Sequence, residues 1–173
     1  MERSRIICES PRLILRQLTM EDLEPLAAMH SDSDVCRFIG GVKTRGQSRE
    51  KLEEWIDEYA KYGVSKWAVV LRSTGEFIGR CGFSPEQIEG VQEWELGWTF
   101  ARRFWGKGYA TEAATAAMKY WFDVLKKPRL ISLVHPLNQA SIRVAMRLGM
   151  TLHRTVQWHD SDTNLYVALA RPS

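Results

Sequence analysis

The chain reads as one α/β domain, residues 1–173, in which a mixed, mostly antiparallel central sheet carries helices on both faces. Three observations predict this. Short segments with apolar residues at every second position interleave with longer segments that repeat at helical spacing. No stretch is repeated or enriched in Pro, Gly and Ser, so nothing marks a linker. With 173 residues, 45% hydrophobic and 26% charged, the chain is long enough for one substantial core and short for two.

The first strand is RLILRQL, residues 12–18. Thr19 followed by Asp22 resembles a helix N-cap with an acidic first turn, and Pro25 predicts a late start or a kink because it cannot donate to the preceding turn. From Ser48 to Tyr62, Leu52, Trp55, Ile56 and Tyr59 share one helical face and Glu53, Glu54, Asp57 and Glu58 the other. Three strands follow at 66–72, 76–83 and 92–100, with STGE as the hairpin turn between the first two. In the third, Trp94, Leu96, Trp98 and Phe100 take one face, and Glu93, Glu95, Gly97 and Thr99 the other. A helix then runs from Ala110 through Ala113, Ala114, Ala117, Met118 and Trp121 to Leu125. Its small residues allow a close approach to the sheet. After Pro128 come the strand RLISLV, the helix NQASIRVAMRL closed by Gly149, and a last strand NLYVALA at 164–170.

Charge and composition exclude several functions. A net charge of +3, with basic and acidic residues interleaved, makes no demand for nucleic acid or a membrane surface, and an anionic small ligand suffices. The three cysteines, Cys8, Cys36 and Cys81, are far apart and never form a C-x-x-C pair, so reduced thiols in a cytoplasmic protein are expected. MERSRIICES lacks an apolar signal core, and runs such as WAVVL are too short to span a bilayer. The four histidines have no metal spacing, and no metal is expected. His135, which follows a strand, reads as structural.

The informative stretch is RRFWGKGYATEA, residues 102–113. A helix start carries unpaired N–H groups and about half a positive charge, so it binds phosphate where side chains leave the approach open. Gly106 and Gly108 leave it open. The loop is not G-x-x-x-x-G-K-[ST], because Lys107 is followed by Gly108, nor G-x-G-x-x-G, because Ala110 and Thr111 follow. On spacing alone, G-x-G also suits a plain glycine turn that caps a helix.

Arg103-Phe-Trp-Gly106-Lys-Gly108 resembles the Arg/Gln-x-x-Gly-x-Gly/Ala loop of the GNAT acetyltransferase superfamily, whose backbone amides hold the pyrophosphate of acetyl-coenzyme A. ELGWTFARRFWGKGYATEA and NQASIRVAMRLGM together resemble the branch that contains the ribosomal-protein N-terminal acetyltransferases. The likeness covers nearly the whole chain and implies a GNAT fold with acetyl-CoA as co-substrate. It also implies that Trp98, Thr99 and Phe100 offer backbone hydrogen bonds to the pantetheine arm. Gly106, Lys107, Gly108, Tyr109, Ala110 and Thr111 hold the diphosphate, with Arg103 beside it. Asn138 contacts the pantetheine and Ser141 lies near the sulfur. Asn138 equally suits a plain N-cap, and Arg102, Arg103 and Lys107 an ordinary solvated cluster.

The implied chemistry is aminolysis of a thioester, which needs a neutral amine and a stabilised oxyanion. Deprotonating an N-terminal amine, with a reference pKa near 8, costs about 1 kcal/mol at pH 7, against roughly 4.6 for a lysine near 10.4. A modest base therefore serves a protein or peptide N-terminal α-amine, the acceptor expected here. Glu95 lies where the branch has its strand carboxylate, with Glu93 as its rival. Many members carry a tyrosine near the position of Ala145, so this chain departs from the pattern and its general acid stays open. Ser141 is the residue placed to meet the thiolate. Trp55, Trp67 and Trp121 read as core, and Trp94, Trp98, Trp105 and Trp158 as lining for an acceptor cleft, together with the first two helices and the loop from Trp158 to Asn164. Acceptors other than a peptide remain open: a polyamine, an amino acid or an antibiotic. So do a non-catalytic CoA-binding sensor and a peptide-binding module. The alternation in NLYVALA suggests an edge strand and, through it, a homodimer.

The glycine loop makes one test immediate. Acetyl-CoA should raise the melting temperature, and Gly108→Val should abolish that shift, measured against the same variant without ligand. Equal stabilisation of both proteins would remove the phosphate role.

Overall fold

The computed structural model describes residues 5–171. Residues 1–4 and 172–173, which the expected domain and the start of MERSRIICES include, lie outside the described residues. Among the described residues, β1 (Ile6–Glu9), β2 (Leu13–Gln17), β3 (Lys66–Leu71), β4 (Phe77–Ile88) and β5 (Val91–Phe100) follow one another across the sheet, each antiparallel to the last. β6 (Arg129–Val134) then lies parallel to β5, in register at one residue pair only, Glu95 opposite Ile131. β8 (Ser161–Leu169) and β7 (Thr151–Trp158) complete the order antiparallel, with β7 outermost.

The helices divide between the two faces. On one side α1 (Leu23–His30), α2 (Ser33–Cys36) and α3 (Arg45–Tyr62) pack over Leu26, Leu52, Trp55, Ala68 and Val70. On the other, α4 (Tyr109–Lys119) and α5 (Gln139–Arg147) cover the larger core of Trp67, Phe83, Leu96, Ala113 and Trp121. The alanines Ala113, Ala114 and Ala117 are fully buried, and their small volume brings α4 against the sheet. Pro25 falls in the first turn of α1, where its missing N–H has no intrahelical partner to lose, so the helix starts late and needs no kink.

Several expectations change. α3 begins at Arg45, not Ser48, because Thr44 and Gln47 form a capping box: the Gln47 N–H donates to Thr44 Oγ1 at 3.2 Å and the Thr44 N–H to Gln47 Oε1 at 2.9 Å. β4 runs on to Ile88. It tolerates Pro85 there because its pairing with β3 ends at Gly82, leaving that edge without a ladder to break. The expected loop from Trp158 to Asn164 is a two-residue turn, His159 and Asp160, with both residues at positive φ (47° and 59°), and β8 starts at Ser161. The strand at 164–170 is therefore not an edge. It lies between β6 and β7, and the reasoning that led from it to a homodimer loses its premise.

The turn between β1 and β2 clamps the start of α4. The Glu112 carboxylate accepts from Ser10 Oγ at 2.7 Å, from the Arg12 N–H at 2.9 Å and from Arg12 Nε at 2.6 Å. Arg12 Nη1 also donates to the Lys107 carbonyl at 2.9 Å, and its guanidinium lies 4.5 Å from the centre of the Tyr109 ring. Partial burial raises the Glu112 pKa, but the hydrogen bonds from Ser10 and Arg12 and the Arg12 charge outweigh it, leaving the carboxyl below its ordinary 4.5. In the unfolded chain this group binds its proton more readily. The clamp's stabilisation is thus complete above pH 4.5 and is lost as pH falls through the lowered native value. Glu112→Gln is expected to cost about 1–3 kcal/mol at pH 7 in urea unfolding. The difference from the parent should shrink on acidification below the ordinary carboxylate value, and a constant difference would show that the charge is not what the clamp uses.

Candidate functional site

Past their one registered pair, β5 and β6 separate. Ser132 Oγ on β6 donates to the Leu96 carbonyl at 2.8 Å, the last bridge between the two strands among the described residues. The register of β4 with β5 is unbroken, so period-two alternation points the backbone groups of Trp98 and Phe100 the same way as Leu96, into the gap. Phe100 is partly used, since its carbonyl accepts from Trp105 Nε1 at 2.8 Å. The Thr99 carbonyl faces the other way, close against Gly79 on β4. Of the three residues expected to offer backbone groups, Trp98 and Phe100 therefore face the gap and Thr99 does not. Thr99 lines the cleft with its side chain instead.

The gap opens into a cleft of about 1200 Å³. Gly106 and Gly108 sit at its rim with positive φ, 73° and 81°, a conformation suited to glycine. Gly108 is the N-cap of α4 and no side chain caps that end, so the amides of Tyr109, Ala110 and Thr111 face the cleft mouth without a side-chain partner. α5 differs: Asn138 Oδ1 accepts from the Ser141 N–H at 3.2 Å. Asn138 is thus an N-cap and also lines the cleft, with Ser141 one turn on. Ala145 is fully buried in the core, so the position that carries a tyrosine elsewhere faces inward here.

The side chains of the basic cluster turn elsewhere in the structure. Arg103 pairs with Glu76, and neither Arg103 nor Lys107 lines the cleft. Lys107 lies 5.7 Å from the Phe104 ring centre. Their neighbourhood is acidic as well as basic, since Arg102 pairs with Asp32 at 3.1 Å and with Asp34 at 2.8 Å. Trp94 also leaves the expected set, packing on Trp121 at 5.6 Å and Tyr62 at 5.4 Å on the core side of β5. Trp98, Trp105 and Trp158 do line the cleft.

The floor holds a buried ion pair. Lys66 Nζ donates to Glu95 Oε2 at 3.0 Å and to the Gly82 carbonyl at 3.0 Å, and the two side chains are only 5% and 12% exposed. Gly97 makes room for them. A Cβ there would stand 2.8 Å from Lys66 Nζ and 3.0 and 3.1 Å from the two Glu95 oxygens. Glu93 is engaged elsewhere, with Arg129 at 2.9 Å, and does not line the cleft. Of the two carboxylates, Glu95 is the one that lines the cleft.

Among the cleft residues that the sequence reading does not single out are Lys66, Arg80, His30, Lys43 and Glu86. The strand bulge at Ile78 hides Arg80. Opposite the consecutive β3 residues Val69 and Val70, β4 pairs through Gly79 and then Phe77, so Arg80 shares a face with Phe77 and not with Ile78, against simple alternation. Burial raises the Glu86 pKa first, with Glu95 adding to it and the Trp158 Nε1 hydrogen bond at 3.3 Å opposing. His30 is 1% exposed and its Nδ1 lies 3.0 Å from Ser48 Oγ. Burial first, then the charges of Arg80 and Lys43, push its pKa down to about 3, so the ring is neutral at physiological pH.

Comparison with known proteins agrees with this geometry. A family model described as an acetyltransferase (GNAT) domain matches residues 12–151. YkkB of Bacillus subtilis (strain 168), an uncharacterised protein, is 40% identical over 147 residues, covering 83% of this chain and 85% of its own. The crystal structure of a GNAT-family acetyltransferase from Bacillus anthracis superposes with a TM-score of 0.79 at 30% identity, over 95% of this chain and 97% of that one. RimL, a ribosomal-protein α-N-acetyltransferase solved with coenzyme A, shares the fold with a TM-score of 0.81 at 19% identity, over 96% and 98% of the two chains. A glycine loop at an uncapped helix start, two strands that part beside it and a matching family model lead to one conclusion: this chain belongs to the GNAT acetyltransferase family.

Proposed function

We propose that the chain transfers the acetyl group of acetyl-CoA to the α-amine at the N-terminus of a protein or peptide, with Glu95 as the base. The observation that carries this is the Glu95 carboxylate on the cleft floor, beside the point where β5 and β6 part. Its Oε2 is held by Lys66, and Oε1 has no hydrogen-bond partner among the described residues. The likeness in fold to RimL, named for coenzyme A and a protein α-amine, supports the choice of co-substrate and acceptor.

The reading assigns each part a task. The pantetheine arm adds to the gap along β5, on the backbone groups of Trp98 and Phe100, with Asn138 on its far side. Its diphosphate rests on the amides from Gly106 to Thr111, where the helix end favours negative charge. The amine nitrogen attacks the thioester carbon, and Glu95 Oε1 takes the amine proton directly or through one water. The Trp98 N–H, beyond the last β5–β6 bridge, donates to the carbonyl oxygen as it gains charge. The C–S bond then breaks, CoA leaves as the thiolate, and Ser141 Oγ lies on that side of the cleft to meet it. Lys66 fixes the carboxylate's orientation and keeps Oε1 as the oxygen that faces the acceptor.

Two measurements test this. Glu95→Gln should keep the acetyl-CoA melting shift and lose roughly 10²-fold or more in turnover at pH 7. The loss should shrink at higher pH for an N-terminal amine, while Glu93→Gln changes little. Parent-like turnover in Glu95→Gln would leave catalysis to positioning alone. Gly97→Ala probes the floor separately. Only the flexible ends of Lys66 and Glu95 stand in the way of the new methyl, so the protein should fold normally while the pair is displaced and turnover falls. Unchanged turnover would dissociate the pair's geometry from the reaction.

A further inference from the structure

Above the floor, on the α1–α3 side, the cleft holds Arg80 and Lys43, neither of which forms an ion pair with an acid among the described residues. The Arg80 guanidinium makes no hydrogen bond or ion pair with any described residue, and its Nε is fully buried. It lies 4.8 Å from the Trp55 ring centre, which holds it in place without satisfying its donors. His30 stands edge-on to the same ring at 6.2 Å, and its Nε2 is likewise buried and unpartnered. Both residues line the cleft, as does Lys43, whose ammonium is tied only to the Ile39 and Gly41 carbonyls at 3.2 and 3.3 Å. The carboxylate whose charge Arg80 feels most is Glu95, and Lys66 already holds it.

Buried donors without partners are costly, and Arg80 Nε and His30 Nε2 are two such atoms in one cleft. The guanidinium fork fits a carboxylate in two parallel hydrogen bonds. If the Ser48 hydroxyl donates to Nδ1, the neutral His30 ring presents Nε2–H as a further donor. We propose that Arg80, His30 and Lys43 form a carboxylate-binding subsite on the acceptor side of the cleft, so that the amine acetylated by this chain belongs to a molecule that also bears a carboxylate. Arg80 sits two residues along β4 from Gly82, which faces Gly97 under the Glu95 carboxylate, an offset of about 7 Å. That spacing favours a carboxylate several bonds from the amine, as in an acidic side chain near a peptide N-terminus, over the α-carboxylate of a free amino acid. The subsite rests on the acetyl-transfer reading and not on the acceptor being a peptide.

The test uses amidated tripeptides that differ only by Glu against Gln at the first or second position, together with free glutamate and glutamine, followed by thiol release. The parent should favour the acidic member of a pair by about 10- to 100-fold in kcat/KM, and the preference should fall as salt is raised. Arg80→Met should abolish the preference through the KM for the acceptor, leave the KM for acetyl-CoA unchanged and still acetylate the Gln peptides. Arg80→Lys should restore part of it. No preference in the parent, a preference that survives Arg80→Met, or a rise in the KM for acetyl-CoA instead would each overturn the subsite. The salt dependence of the parent's preference needs no variant, so a poorly folded Arg80→Met leaves the test intact. Acetylation of free glutamate over glutamine with no peptide turned over would refute the peptide acceptor and uphold the subsite.

Discussion

Everything at the site depends on two parallel strands that touch once. β5 and β6 are in register only at Glu95 and Ile131, and after the Ser132 bridge to Leu96 their edges part within an otherwise continuous sheet. Unpaired backbone groups in a sheet interior are a liability unless something pairs with them. Here the defect is flanked on one side by the uncapped start of α4 and on the other by the first turn of α5. The separation turns a structural cost into an elongated slot that an extended ligand can complete.

The buried Lys66–Glu95 pair is the second constraint. Taking both charges out of water costs several kcal/mol per ion, and their attraction recovers it only with good geometry and further hydrogen bonds. The geometry is supplied by absence: Gly97 leaves the space in which the pair lies, and the Gly82 carbonyl accepts a further hydrogen bond from Lys66 Nζ. Such a pair contributes little to stability, but it fixes a carboxylate's position in a cleft that solvent can enter.

Much of this was legible in the sequence because it rests on local signals. The alternation of Trp94, Leu96, Trp98 and Phe100 against Glu93, Glu95, Gly97 and Thr99 holds because no bulge interrupts β5. The glycine loop was legible because backbone conformation leaves its mark in glycine itself. The rest depends on contacts between distant segments. Arg12 and Glu112 are 100 residues apart, and nothing local says that they meet. Arg103 reads as part of a basic cluster from its neighbours in sequence, and its pairing with Glu76 is set only in space. The bulge at Ile78 shifts the phase of β4 and conceals Arg80, whereas the capping box at Thr44 and Gln47 is a local signal that the Thr-x-x-Gln spacing carries.

The clamp on α4 also shapes the field at the slot. A carboxylate in the first turn of a helix ordinarily satisfies the positive end of the helix dipole by itself and would repel an arriving anion. Glu112 stands in that turn, yet its charge is matched by the Arg12 guanidinium from the β1–β2 turn. The carboxylate is thereby turned inward as a tether and cancelled as a source of field. The helix end stays electrostatically vacant, and its attraction is reserved for whatever negative group arrives from solvent.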